Sequence, residues 1–230
     1  LQTANPVIRF LLHVVLERYR SSILYRVSHE AAPVLARDPL HTEVAEKLVL
    51  LKDMRDAIEQ QAFELNYQPI VGMSSQSISG FEALIRWRHP QRGLILPSRF
   101  LSLAEDTGMI KAIGQWCIEQ ACRDWPQLKS VADTDKPFIS VNISGKQLRD
   151  PKFAADVIDI QRRFGMPPEE FKFELTETSL ITNHGLASVL LRELKDYGNL
   201  IALDDYGTGF SNLEHLMHFS FNVLKLDQSF

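Results

Sequence analysis

Several short apolar runs in this chain close on side chains that carry oxygen donors or charge. They are Glu82 in "FEAL", Asn142 in "VNIS", Glu174 and Glu177 in "FELTE", Asp204 and Asp205 in "IALDD", and Lys225 in "VLKLD". If folding gathers Glu82, Glu174, Asp204 and Asp205 into one mouth, their carboxylates repel. Two like charges about 4 Å apart cost around 4 kcal/mol at an effective dielectric near 20. Several such pairs exceed what a fold stable by about 5–15 kcal/mol absorbs without compensation. Lys225 brings a single positive charge, and a divalent cation answers the need better. The donors are oxygens only, carboxylates plus the Asn142 amide, with no histidine or cysteine inside these motifs. Such a set favours Mg²⁺ or Mn²⁺ over zinc. Adjacent aspartates at a strand end can serve two ions, or one ion and one water, as in a two-metal phosphoryl hydrolase.

Such a cluster has to be positioned by strands whose far ends converge. From residue 63 onward, strand-like runs alternate with helical ones. "FELNYQPIV" and "SISGFEALIRW" flank "GMSSQS" and predict a hairpin. Helices are expected near 97–107, 111–129 and 151–164. Strands are expected over "FISVNIS", "FKFELTET" and "LIALDD". A further helix starts after Thr182-Asn183 and ends at Gly198. A short helix over 211–218 and a strand over "NVLKLDQSF" follow. This repetition implies parallel strands covered by helices. In a parallel α/β barrel the strand C-termini converge on the active site.

Residues 1–62 read as helical. Asn5-Pro6 is a good helix start, and Val7, Leu11, Val14 and Val15 form a stripe at helical spacing. Arg37-Asp38-Pro39 breaks the pattern, and a second amphipathic stretch runs from about Thr42 to Gln61 through Leu48, Leu51, Met54 and Ile58. The chain therefore divides into an N-terminal helical linker or signalling segment, 1–62, and an α/β domain, 63–230.

Composition narrows the class. The 230 residues are 45% hydrophobic, with net charge −4 and a pI near 6.0. No basic bias points to duplex nucleic acid or a membrane surface. "VIRFLLHVVLERYR" is too short and too charged to span a bilayer, and no cleavage site follows it. Cys117 and Cys122 lie in one predicted helix, nearly facing apart, and read as buried thiols. The composition suits a bacterial-type cytoplasmic protein.

"EALIRW", "VNIS", "ELTET", "DDYGTGFSNL" and "LKLDQSF", in this order, resemble the EAL domain. "YQPIV" ahead of them and "RGLILPSRFLSLAEDTGMI" between them extend the likeness over about Phe63 to Phe230. That family comprises bacterial phosphodiesterases that hydrolyse cyclic di-GMP to linear pGpG. The resemblance implies a TIM-like (β/α) barrel, incomplete here at its C-terminus because the last two strand-helix units are absent. It makes Glu82, Asn142, Glu174 and Asp204 metal ligands. Asp205 becomes the second-metal ligand that also orients the attacking water, and Lys225 the group that holds or activates that water. Glu177 steadies the glycine-bearing loop, Arg86 contacts a substrate phosphate, and Gln68 lies near a guanine. The implied reaction is in-line attack of a metal-activated water on phosphorus, with the ribose 3′-oxygen leaving. A homodimer and two Mg²⁺ or Mn²⁺ ions are implied as well.

This chain has Tyr206 where the family usually has phenylalanine, and Phe210 where it has tyrosine. The first helical stretch is similar to the final helix of cyclic-nucleotide-binding regulatory domains, which implies an upstream sensor. Two other readings stand beside the enzyme. One is a receptor that binds cyclic di-GMP without cleaving it; the other is an unrelated metal-dependent barrel acting on another phosphate ester. A chain that truly ended at Phe230 would leave an open barrel and is expected to be a weak catalyst or none. Asp227 could join the site, but from the pleat it faces away from Lys225's neighbour and reads as a turn cap. His215 and His218 read as ordinary helix residues.

Overall fold

The computed structural model describes residues 39–60, 62–176, 179, 184–207, 219 and 221–227. The expected helices in 1–38 and 211–218, with Glu177, Gly209, His215 and His218, lie outside the described residues. The first element is helix α1 (Pro39–Glu59). The hairpin β1 (Phe63–Val71) and β2 (Ile78–His89) follows, then a short strand β3 (Gly93–Ile95). Next come α2 (Pro97–Thr107), α3 (Ile110–Lys129), β4 (Phe138–Asn142) and α4 (Phe153–Phe164). The chain continues through β5 (Phe171–Thr176), α5 (His184–Tyr197), β6 (Leu200–Tyr206) and β7 (Val223–Leu226).

The seven strands form one sheet in the order β1-β2-β4-β5-β6-β7, with β3 paired to β2. β1 and β3 run antiparallel to β2, and every pairing from β2–β4 to β6–β7 is parallel. Among the described residues the sheet does not close. The repetition read from the sequence is therefore present, and β3 is an addition to it.

Alternation along each strand decides which residues look toward the helices. Phe81, Ala83 and Trp87 of β2 are buried, as are Ile139 and Val141 of β4 and Phe171, Phe173 and Leu175 of β5. They pack under α2–α5, whose apolar stripes supply Phe100, Ile113, Ile118, Val157 and Leu194. The other face of these strands carries Glu82, Asn142 and Glu174, and β6 adds Asp204. Two glycines end helices, Gly198 as expected. Gly165 (φ +64°) and Gly198 (φ +118°) stand past α4 and α5 in left-handed conformations closed to most residues.

α1 belongs to the same core. Leu51, Met54 and Ala57 are buried in it, and Met54 has no exposed surface. On the same helix Asp53 meets His89 at the end of β2. His89 Nδ1 accepts the Gln91 and Arg92 backbone N–H groups, each at 3.1 Å. That leaves the proton on Nε2, which donates to Asp53 Oδ2 at 3.1 Å.

Cys117 and Cys122 are both buried and free, as read from the sequence. Burial pushes each thiol up to about 12, which leaves almost no thiolate near neutrality. Neither should react with a disulfide reagent at pH 8 until the protein is unfolded. Rapid labelling of the native protein would contradict this packing.

Candidate functional site

The register of the parallel strands builds the site. Glu82 is level with Ser140, Asn142 with Glu174, and Thr176 with Asp204. Glu82, Glu174 and Asp204 thereby offer carboxylate oxygens that all lie within 4.8 Å of one another, from three different strands. Asn142 Nδ2 donates to Glu82 Oε1 at 2.9 Å. The other arm of that amide carries an oxygen, the donor type a hard divalent ion takes.

Lys225 stands among the three acids. Its Nζ donates to Glu174 Oε2 at 2.5 Å, Glu82 Oε2 at 3.1 Å and Asp204 Oδ2 at 3.3 Å. Burial of the ammonium opposes its charge. The Glu174 hydrogen bond and charge, with Glu82 and Asp204, outweigh that and hold Lys225 well above the ordinary lysine range. Glu174, 1% exposed, is shifted above the usual carboxylate value, first by burial; Lys225 acts against the shift. One ammonium among three carboxylates leaves the quartet net negative. Hard oxygen donors with residual negative charge fit Mg²⁺ or Mn²⁺.

Asp205 does not join the cluster. Its φ of +56° turns it out of the pleat, and the β6–β7 register is irregular between Leu203 and Tyr206. Aspartate is among the residues that tolerate this conformation, and such an irregularity re-aims a side chain. The two aspartates therefore serve different directions. Asp204 turns into the cluster, and its Oδ1 accepts the Asp205 N–H at 3.0 Å. Asp205 is exposed and its pKa is raised by desolvation, then by Asp204 and Asp227. Asp227 stands just past β7, and its N–H donates to Tyr206 O at 3.4 Å.

The remaining candidates lie around this centre. Gln68 on β1 pairs with Glu82 in register and is exposed. Arg86 lies on the same face of β2 as Glu82, one turn of the pleat beyond the level of Asn142, and its Nη1 donates to Ile85 O at 2.8 Å. Among the described residues, no hydrogen bond or ion pair joins either of them to the acids. Glu177 lies outside the described residues. Tyr67, beside Gln68, donates to Asp124 Oδ2 of α3 at 2.6 Å, which ties β1 to the helical layer.

One group went unread in the sequence. Lys172, two residues before Glu174, is buried on the site side of β5 with its Nζ 3.2 Å from the Phe138 ring centroid. Burial brings it down to about 8; Glu174 opposes this and Lys225 adds to it. The signal was the alternation Lys172, Glu174, Thr176 within "FKFELT". Cavities of about 490 Å³ (Lys47, Leu50, Arg92, Leu96) and 420 Å³ (Leu191, Arg192, Phe219, Phe221) lie elsewhere, and neither is lined by the acids.

A mostly parallel α/β sheet with acids gathered on one face from several strands defines a barrel-type domain. The EAL domain family model matches residues 51–230, and the chain belongs to that family. It is 36% identical over 191 residues to the bifunctional diguanylate cyclase/cyclic di-GMP phosphodiesterase MucR of Pseudomonas aeruginosa, covering 83% of this chain and 28% of MucR. It is 33% identical to the cyclic di-GMP phosphodiesterase NbdA of the same organism, covering 83% and 24%. The chain thus spans about a quarter of the length of these relatives. Among solved structures, EAL enzyme Bd1971 in its cAMP- and cyclic-di-GMP-bound form superposes with a TM-score of 0.73 at 30% identity, covering 99% of this chain and 58% of that one. Among the described residues, no helix is long and apolar enough to cross a membrane.

Proposed function

We propose that this chain carries a metal-dependent phosphodiesterase domain that opens cyclic di-GMP to linear pGpG. The observation that carries the reading is the meeting of Glu82, Glu174 and Asp204 oxygens within 4.8 Å around Lys225. The relatives named as cyclic di-GMP phosphodiesterases supply the substrate class. Glu82, Asn142, Glu174 and Asp204 would hold one Mg²⁺ or Mn²⁺, and Asp205 would face a second. When bound, such ions polarise a phosphoryl oxygen and lower the pKa of water. Asp205 orients the attacking water in line with the scissile bond. Lys225 holds that water through an ammonium that stays charged and offers its hydrogens. Arg86 takes a phosphate oxygen, Gln68 a guanine edge, and Glu177 steadies the loop after Asp205.

Residues 1–62 act in this reading as a linker from an upstream sensor into the domain at 63–230, in a cytoplasmic homodimer. The match to Bd1971 along nearly the whole chain supports the sensor arrangement.

The test is incubation of the intact protein with cyclic di-GMP and Mg²⁺ or Mn²⁺. Formation of pGpG is expected, lost in EDTA and restored by the ion. No turnover would overturn the reading, and binding without turnover would make the domain a receptor.

A further inference from the structure

The motif "RGLILPSRFLSLAEDTGMI" takes no part in the acid cluster, yet its end meets the turn that leaves the cluster. Asn142 is the last residue of β4. Two residues later, Ser144 Oγ donates to Glu105 Oε1, in the last turn of α2, at 2.6 Å. Ser144 Oγ also accepts the Lys146 N–H at 3.2 Å, and the Ser144 N–H donates to Gln147 Oε1 at 2.9 Å. Lys146 Nζ reaches Asp106 Oδ1 at 2.9 Å.

The turn is wedged from two further sides. Gln147 is 2% exposed and sits in a notch of α3. A Cβ at Gly114 would lie 2.1 Å from its Nε2. A Cβ at Gly145 would lie 2.4 Å from the backbone oxygen of Ser179, in the segment after β5. Ile143 N–H donates to Glu174 O at 2.8 Å, so the turn borders the strand of Glu174.

Asn142 itself is an exposed side chain at a strand end. Packing does not fix it, so its aim depends on the backbone just beyond it. We propose that Glu105 is a positioning residue for the divalent-ion site, holding Ser144 so that the turn 143–147 aims Asn142 at Glu82. This rests on the functional reading above and deepens it. A plain staple between α2 and the sheet would affect stability alone. A positioning contact also shifts ion affinity, because partners behind a metal ligand typically change affinity 10–100-fold.

The experiment is calorimetric titration of the intact protein with Mn²⁺ alone, beside its melting temperature without ion. Glu105→Ala and Ser144→Ala are each expected to weaken Mn²⁺ binding about tenfold or more. Glu105→Gln keeps an acceptor oxygen and is expected to stay within about threefold of wild type. If an alanine variant does not fold, Ser144→Cys, with its weaker donor, replaces it under the same expectation. Unchanged Mn²⁺ affinity in the alanine variants, whatever their melting temperature, would overturn the proposal. So would Glu105→Gln binding as weakly as Glu105→Ala. A wild-type protein that binds no Mn²⁺ would defeat the functional reading first, and this inference with it.

Discussion

Glu82→Ala is expected to lower kcat/KM for cyclic di-GMP by a factor on the order of 10³ or more in the intact protein. Glu82 contacts both Lys225 and Asn142, at 3.1 and 2.9 Å. Its loss removes one donor and frees another from its aim. The same change should leave the ion-free protein as stable as wild type, or more so. Three carboxylates around one ammonium are over-supplied with negative charge, and removing one brings the group nearer balance. Activity and stability measured on one sample therefore move apart. Turnover at the wild-type rate would remove Glu82 from the site, and a collapse of the melting temperature would mean that the loss was unfolding.

Lys225→Ala is expected to do the opposite to stability while also damaging turnover. The lysine holds three acids from three strands. Removing one partner of a fully buried pair costs about 3–5 kcal/mol; with the Lys225 side chain 28% exposed, roughly 1–3 kcal/mol is the scale here. Lys225 holds the attacking water in this reading, so kcat should fall far more than KM rises. The lost stability should return with Mn²⁺. It should also return at lower pH, by the sign of the Glu174 shift. Burial already holds that carboxyl above its unfolded value of about 4.3, and losing Lys225 removes the influences that lowered it. A raised folded pKa gives stability that is present below the unfolded value and lost as pH climbs through the folded one. The ion-free variant should thus melt higher at pH 5 than at pH 7.5. An unchanged kcat would exclude Lys225 from the chemistry, and a flat pH response would exclude the charge imbalance.

The strands and the acids on them were legible because charge at the end of an apolar run is costly, and the sequence repeats it. The three-residue β3 was not, since three residues carry no period. Pro39, part of the break read at Arg37-Asp38-Pro39, stands at the first position of α1, where its missing N–H costs nothing. The separation of Asp204 from Asp205 depends on a positive φ that composition does not announce. Lys172 was visible as a charge within an apolar run, but its place above Phe138 depends on the parallel register of β4 and β5.

α1 shares its core with the sheet, and its junction with β1 is tied down. Ala62 N–H reaches Ala57 O at 2.9 Å, and Arg88 N–H reaches Ala62 O at 3.0 Å. Met54 is fully enclosed, Asp53 grips His89, and β2 is the strand that bears Glu82 and Arg86. The helix is therefore a buttress of the sheet: a change that loosens α1 also loosens the strand that carries Glu82.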